Sequence, residues 1–210
     1  SFAPYHFFDF PQDVSYENIP ANLQALKSAD TILIEGPNLL KKKKLNTLQK
    51  QIIFRYFVHI MGDIHQPLHV GNTLDMGGNL CDVSVPDAKT GKQTKMNLHS
   101  FMDTLLIEHY LKNEVLEKAK LQGRTIKYFS YKDLSEFLLE EAKVSGQLEE
   151  LKNQIKNTQR IDWYNESRSL HSLVYPDGKT VKPVDRDYCK FLNLETGKIV
   201  RVVHSQLFSV

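Results

Sequence analysis

The spacing of apolar and polar positions divides the chain into helical stretches interrupted by one strand-like passage. From Pro20 to Ile34, Leu23, Leu26, Ala29, Ile32 and Leu33 recur at helical intervals, which predicts an amphipathic helix closed by Gly36-Pro37. Leu45 to Asp63 predicts a longer helix with Ile52, Ile53, Tyr56, Phe57 and Ile60 facing inward. Between Gly71 and Lys95 the helical period lapses. Gly77-Gly78 signals a turn, Cys81 to Val85 alternates like a strand, and Thr90-Gly91 marks a turn tip, so a small β-hairpin is expected near residues 80–96. Asn97 then reads as the N-cap of a helix to about Lys120, with Leu98, Met102, Leu105, Leu106 and Tyr110 inward. Tyr131–Ser145 and Leu148–Ser172 read as two further helices. Pro176-Asp177-Gly178 breaks the pattern, and Ile199–Val203 reads either as a strand or as a short buried helix. The fold class is mainly α, in one domain over residues 1–210.

Composition changes this picture little. The 210 residues are 41% hydrophobic and 25% charged, ordinary for a globular chain with a real core. No apolar run reaches the roughly 18 residues of a membrane helix, and the first residues, Ser1-Phe2-Ala3-Pro4, carry no basic n-region and no long apolar segment, which is silent about secretion. A formal net charge of +2 does not by itself argue for nucleic-acid binding, and the run Lys41–Lys44 reads as a solvated loop or helix end. Cys81 and Cys189 either pair in an oxidising compartment or stay free. Asn165-Glu166-Ser167 is a glycosylation sequon, usable only in a secreted protein.

The candidate chemistry lies in a doubled His-x-x-x-Asp, His59 with Asp63 and His99 with Asp103. On a helix, residues four apart share a face, so each pair can aim an imidazole and a carboxylate at one point. Zinc takes these ligands at about 2.0–2.2 Å. Pro67 is expected to end the first helix near His65, which lets His69 approach from another direction. The pairs are set among Met61, Leu68, Leu98, Phe101 and Met102, where imidazoles and carboxylates need a partner or a metal. A metal site accounts for this better than a purely structural polar network. Near the start, His6-Phe7-Phe8-Asp9 places another His and Asp beside aromatics. Asp75-Met76-Gly77-Gly78-Asn79 is a polar-flanked glycine turn, and Trp163–Ser167 adds a polar–aromatic helical cluster.

The order His6-Phe7-x-Asp9, His59-x-x-x-Asp63-x-His65-Gln66-Pro67-Leu68-His69, Gly77-Gly78-Asn79, Asn97-Leu98-His99-x-x-x-Asp103 and Trp163-x-x-Glu166-Ser167 resembles the zinc-dependent single-strand-specific nucleases of fungi and plants, which share their helical fold with zinc phospholipase C. The resemblance covers roughly the first 170 residues. It implies a secreted or vacuolar enzyme with three clustered zincs. Such an enzyme cleaves single-stranded DNA and RNA to 5′-phosphates by metal-activated water and removes the phosphate of 3′-nucleotides. It needs no obligate protein partner and no membrane. By position, His69, His99 and Asp103 resemble the complete ligand set of one zinc. His6, His59 and Asp63 resemble three of four ligands of a second, and Asp63 the carboxylate shared with the third. Asp63 and Asp103 are the candidate catalytic carboxylates. Phe7 resembles the residue that stacks on the base, Asp9 and Asn79 those that bond its edge, and Gly77 and Gly78 those that allow close approach. His65 falls outside the ligand positions and reads as supporting or structural.

The family's N-terminal Trp, a following His, an Asp and a Lys have no counterpart here, so Ser1 is expected not to be a natural mature N-terminus. One complete and one partial zinc site are therefore expected. Two alternatives stay open: a zinc phospholipase of the same fold, and a zinc-binding but catalytically impaired fragment.

Overall fold

Among the described residues helices dominate, as the periodicity predicts, with two small antiparallel sheets. The computed structural model describes residues 3–11, 14–24, 26–86, 90, 92–127, 130–156, 158–175, 190–192 and 199–201. The chain forms two units, Ser1–Phe101 with Arg160–Val210, and Met102–Gln159.

In the first unit, the expected Pro20–Ile34 helix is two pieces, α1 (Ala21–Gln24) and α2 (Ala29–Leu40). The break falls where the Ser28 amide donates to Thr31 Oγ1 (3.3 Å) and so starts α2 afresh at Ala29. Gly36-Pro37 does not close the helix but lies inside it. Gly36 is buried, and a Cβ there would come within 3.0 Å of the Phe57 ring. The glycine therefore serves close packing of α2 on α3 (Thr47–Asp63), not a turn. α3 begins at the Asn46 cap, whose side chain accepts from the Gln49 amide (2.9 Å) while Gln49 Oε1 accepts from the Asn46 amide (3.0 Å). Of its expected inward face, Ile60 is fully buried, whereas Ile52 is exposed along with Phe54 and Val58. The expected hairpin is present as β1 (Asp82–Pro86) paired with β2 (Gln93–Asn97), Val83 opposite Met96. Asn97 caps the next turn, α4 (Leu98–Ser100), by accepting from the Ser100 amide (2.7 Å).

Phe8, Phe10, Ile19, Ala29, Leu33, Ile60, Ile64, Val70 and Tyr164 form the core of this unit. A polar network seals one flank. Asp30 accepts from the hydroxyls of Tyr16 and Tyr164 (both 2.9 Å), and Arg160 places Nε 2.8 Å from the same carboxylate and donates from Nη2 to the Tyr16 hydroxyl (2.7 Å). The two tyrosine rings stack, and Phe8 sets its edge against both. Burial and the Asp30 charge push both phenols above their ordinary pKa, so they stay protonated donors. The residues past 175 contribute a second antiparallel pair, β3 (Lys190–Leu192) with β4 (Ile199–Arg201). Of the two readings of Ile199–Val203, the strand holds for 199–201. Cys81 is buried, and Cys189 lies outside the described residues.

The second unit contains π-helical turns. The run expected from Asn97 to Lys120 alternates: a π stretch Phe101–Leu105, α5 (Leu106–Tyr110), a π stretch Leu111–Val115 and α6 (Leu116–Leu121). Each π turn takes an extra residue and rotates those that follow. That is why Leu106 and Tyr110, expected inward, are exposed while Val115 and Ala119 are buried. α7 (Tyr131–Val144) and α8 (Gln147–Ile155) form a helical hairpin joined through Gly146, whose φ of +79° only glycine adopts cheaply. Phe137 packs with Val115 and Ala119, and the Arg124 guanidinium lies over its ring while pairing with Glu140. The expected helix Leu148–Ser172 is likewise divided. α8 stops at Ile155, where the Thr158 hydroxyl takes the Gln154 carbonyl (2.7 Å), and α9 (Arg160–Ser169) and α10 (His171–Val174) return to the first unit. No helix among the described residues is long and apolar enough to cross a membrane.

Ile60→Ala is expected to cost about 2–5 kcal/mol in urea unfolding, whereas Ile52→Ala, at a position the same periodicity assigned to the core, is expected to stay within about 0.5 kcal/mol.

Candidate metal centre

Two histidines and an aspartate converge at the C-terminal end of α3. His59 and Asp63, one helical turn apart, present side chains on one face, and His6 closes on them from the 3-10 turn Ala3–His6. His6 Nδ1 lies 2.8 Å from Asp63 Oδ2 and 3.2 Å from His59 Nε2, and His59 Nε2 lies 3.5 Å from Asp63 Oδ2. Ligands about 2.0–2.1 Å from a tetrahedral ion stand roughly 3.3–3.5 Å apart. The triangle is therefore close to the size a zinc ion draws together, and its two nitrogens and one oxygen are zinc donors. Asp63 is largely buried while His59 is half exposed, so the triangle has a buried corner and an open one. The Tyr56 ring lies against both imidazoles. Burial, then the Asp63 charge, raise its hydroxyl pKa.

His69 and His99 form a second imidazole pair, with ring centroids 4.7 Å apart. His69 comes from the 3-10 turn Pro67–Val70, started by Pro67 after α3 has ended, which is the change of direction expected from that proline. Each ring is oriented through Nδ1, His69 against the His6 carbonyl and His99 against the Gly77 carbonyl (both 2.8 Å). A proton on Nδ1 leaves Nε2 as the nitrogen with a lone pair, the tautomer found in metal-ligating histidines. Asp103 follows His99 by four residues, in the π stretch Phe101–Leu105, and is exposed. His65 joins neither group. Its Nδ1 meets the Met61 carbonyl (2.6 Å) and its ring lies near Trp163.

The N-terminal residues are brought beside these groups by a backbone seam. The Phe8 amide donates to the His69 carbonyl (2.8 Å), the Phe10 amide to the Gly71 carbonyl (3.2 Å), and the Gly71 amide to Asp9 Oδ1 (3.0 Å). Phe7 is exposed, while Phe8 and Phe10 turn into the core. Met76, Gly77 and Gly78 all have positive φ. A Cβ on Gly77 would strike the Leu68 carbonyl at 2.3 Å and approach Asp9 Oδ1 at 3.2 Å. The glycine thus admits the protein's own backbone and Asp9. Asn79 is exposed. Its amide donates to the Met76 carbonyl (2.9 Å), and its Oδ1 accepts from Asn97 (3.4 Å). Asp75, whose sequence signal is only its place beside the glycine turn, is fully buried. It accepts from the Gly78 amide and the Tyr175 hydroxyl.

Asp9 is the electrostatically unusual residue. Burial pushes its carboxyl up to about 7, the Gly71 amide pulls the other way, and the Asp75 charge adds to the rise against opposition from His99 and His69. Periodicity did not single out Arg168, which holds the seam from behind. The only signal for it was its place immediately after the Trp163–Ser167 cluster.

A sequence model of the S1/P1 nuclease family matches residues 1–199. Nuclease S1 of Aspergillus oryzae is 36% identical over 127 residues, covering 56% of this chain and 39% of that protein. Endonuclease 1 of Arabidopsis thaliana is 39% identical over 85 residues, covering 38% of this chain and 26% of its own length. Endonuclease 4 of the same plant is 46% identical over 57 residues, 27% of this chain and 17% of that protein. The chain thus spans well under half the length of these relatives.

The Asp9 carboxyl has a pH consequence with a definite sign. Its folded pKa of about 7 exceeds the ordinary 3.8, so its stabilising contribution is complete below that ordinary value and is lost as pH rises through 7. Asp9→Asn keeps an Oδ1 acceptor for Gly71 but cannot ionise. In metal-free protein, thermal melts of this variant are expected to exceed wild type most at pH 8, with the difference shrinking toward pH 4.

Proposed function

Because the chain belongs to the S1/P1 nuclease family, we propose that it is a zinc-dependent hydrolase that cleaves phosphodiester bonds of single-stranded DNA and RNA to 5′-phosphates and removes the phosphate of 3′-nucleotides. The observation that carries this reading is the His6–His59–Asp63 triangle, of a size and donor set that suit zinc, joined through the His6 carbonyl to the His69 ring. In this reading His6, His59 and Asp63 hold one zinc, and His69, His99 and Asp103 hold another. The tautomers imposed on His69 and His99, and the helical spacing of Asp103 from His99, support the second set. Bound zinc supplies Lewis acidity, acidifying water and neutralising phosphoryl charge, so no side-chain nucleophile is needed.

The chain's own residues orient the substrate. The exposed Phe7 ring offers a stacking face for an unpaired base. Asp9 and Asn79 present oxygens and an amide to its edge, and Gly77 and Gly78 keep the turn low enough for that approach. A paired base is stacked and turned away from such a face, which gives single-strand preference. The same reading places the protein in a secretory or vacuolar compartment, where the exposed Asn165 is open to glycosylation. It needs neither an obligate protein partner nor a membrane.

The test is cleavage of single-stranded oligonucleotides by the full-length, zinc-loaded protein, with phosphatidylcholine as the competing substrate. Cleavage abolished by chelation, and kcat/KM reduced roughly a hundredfold or more by Asp63→Ala together with loss of zinc, are expected. Phe7→Ala is expected to raise KM roughly tenfold through lost base stacking. Hydrolysis of the lipid with no cleavage of oligonucleotide would sink the reading.

A further inference from the structure

One face of the segment running from α9 through α10 addresses the ligand-bearing loop residue by residue. Ser167 Oγ donates to the Ile64 carbonyl, His171 Nε2 meets the Pro67 carbonyl (2.8 Å), and the Tyr175 hydroxyl donates to Asp75. Between them stands Arg168, which reaches two chain segments at once. Its Nη1 donates to the carbonyls of Val70 (3.3 Å), Gly71 (3.2 Å) and Phe10 (3.3 Å), and its Nη2 to that of Pro11 (2.9 Å). Its guanidinium lies 3.9 Å from the centroid of the fully buried Phe10 ring.

Four carbonyl dipoles aimed at one point repel each other, and carbonyls so placed need donors. A planar cation with donors fanned around its edge satisfies them together, which a lysine's point charge does less completely. The Gly71 peptide is the focus. Its N–H goes to Asp9 Oδ1, and its carbonyl takes both the Phe10 N–H and Arg168. The other end of the seam has separate fastenings, the Phe8 amide on the His69 carbonyl and the His69 ring on the His6 carbonyl.

We infer that Arg168 is a positioning residue for the base site: by clamping the Phe10-Pro11 and Val70-Gly71 carbonyls it fixes the Gly71 amide that orients Asp9, and so sets substrate affinity rather than metal binding or the chemical step. This rests on the nuclease reading only for its activity measurements. In the full-length, zinc-loaded protein acting on 3′-adenylate and on a single-stranded oligonucleotide, Arg168→Ala is expected to raise KM roughly tenfold, with kcat within about twofold and zinc content unchanged. Arg168→Lys is expected to fall between wild type and Arg168→Ala. In an Asp9→Asn background, Arg168→Ala is expected to add less than about twofold, because the two substitutions damage one contact. An unchanged KM, full additivity with Asp9→Asn, or kcat falling in parallel with zinc loss would each overturn the inference. If Arg168→Ala does not fold, the intermediate KM of Arg168→Lys decides, and an Arg168→Lys KM equal to wild type overturns it. Amide hydrogen exchange at Gly71 tests the clamp without catalysis. Faster exchange in Arg168→Lys than in wild type supports it and equal exchange refutes it, even if the wild-type protein cleaves no nucleic acid.

Discussion

The seam between residues 6–10 and residues 69–71 is the constraint on which the rest of the site depends. Neither segment is a strand of a sheet, yet each satisfies the other's backbone. Because side chains alternate along an extended segment, the pairing turns Phe8 and Phe10 into the core while leaving Phe7 exposed and Asp9 bonded to Gly71. The same pairing sets the His6 carbonyl against the His69 ring, so a ligand-type residue of one group orients a ligand-type residue of the other. Loss of register here would move all four residues together.

Support for the seam comes from a helix remote in sequence. α9 is anchored on one side by the Asp30 network through Arg160 and Tyr164, and on the other by Ser167 and Arg168 against backbone carbonyls. These interactions have different physical weights. The tyrosine–aspartate bonds are partly buried and hold apolar rings in contact, so they add to core packing. The Arg168 contacts satisfy carbonyls that would otherwise face one another across the seam. Asp9 pulls against this stability. Burial raises its carboxyl to a pKa of about 7, so the ionised form that prevails at higher pH is the one the fold disfavours.

Helical periodicity was a good guide where a helix packs one face and a poor one where another effect intervened. α3 was legible almost to its ends because Asn46 caps it and Pro67 follows it. Pro20–Ile34 and Leu148–Ser172 each read as one helix because apolar spacing persists across a break. The breaks come from a local cap at Ser28 and from Thr158 at the end of α8, to which apolar spacing is blind. Gly36-Pro37 looked like punctuation, but the glycine answers to the Phe57 ring on another helix. Leu106 and Tyr110 were misplaced because π turns shift the phase of everything after them.

By itself the sequence determined the helical class, the hairpin and the spacing that sets each His beside an Asp. Those follow from local spacing: four residues bring His59 to Asp63, and a capped turn presents His99. The tertiary structure alone decided that His6, fifty-three residues away, closes on His59, that Asp9 is held by the Gly71 amide, and that Arg168 gathers carbonyls from two segments. The reason is range. Helical and strand periods extend only as far as the local backbone repeats, while a shared ion site or a carbonyl clamp depends on which distant segments the core and its backbone bonds bring side by side.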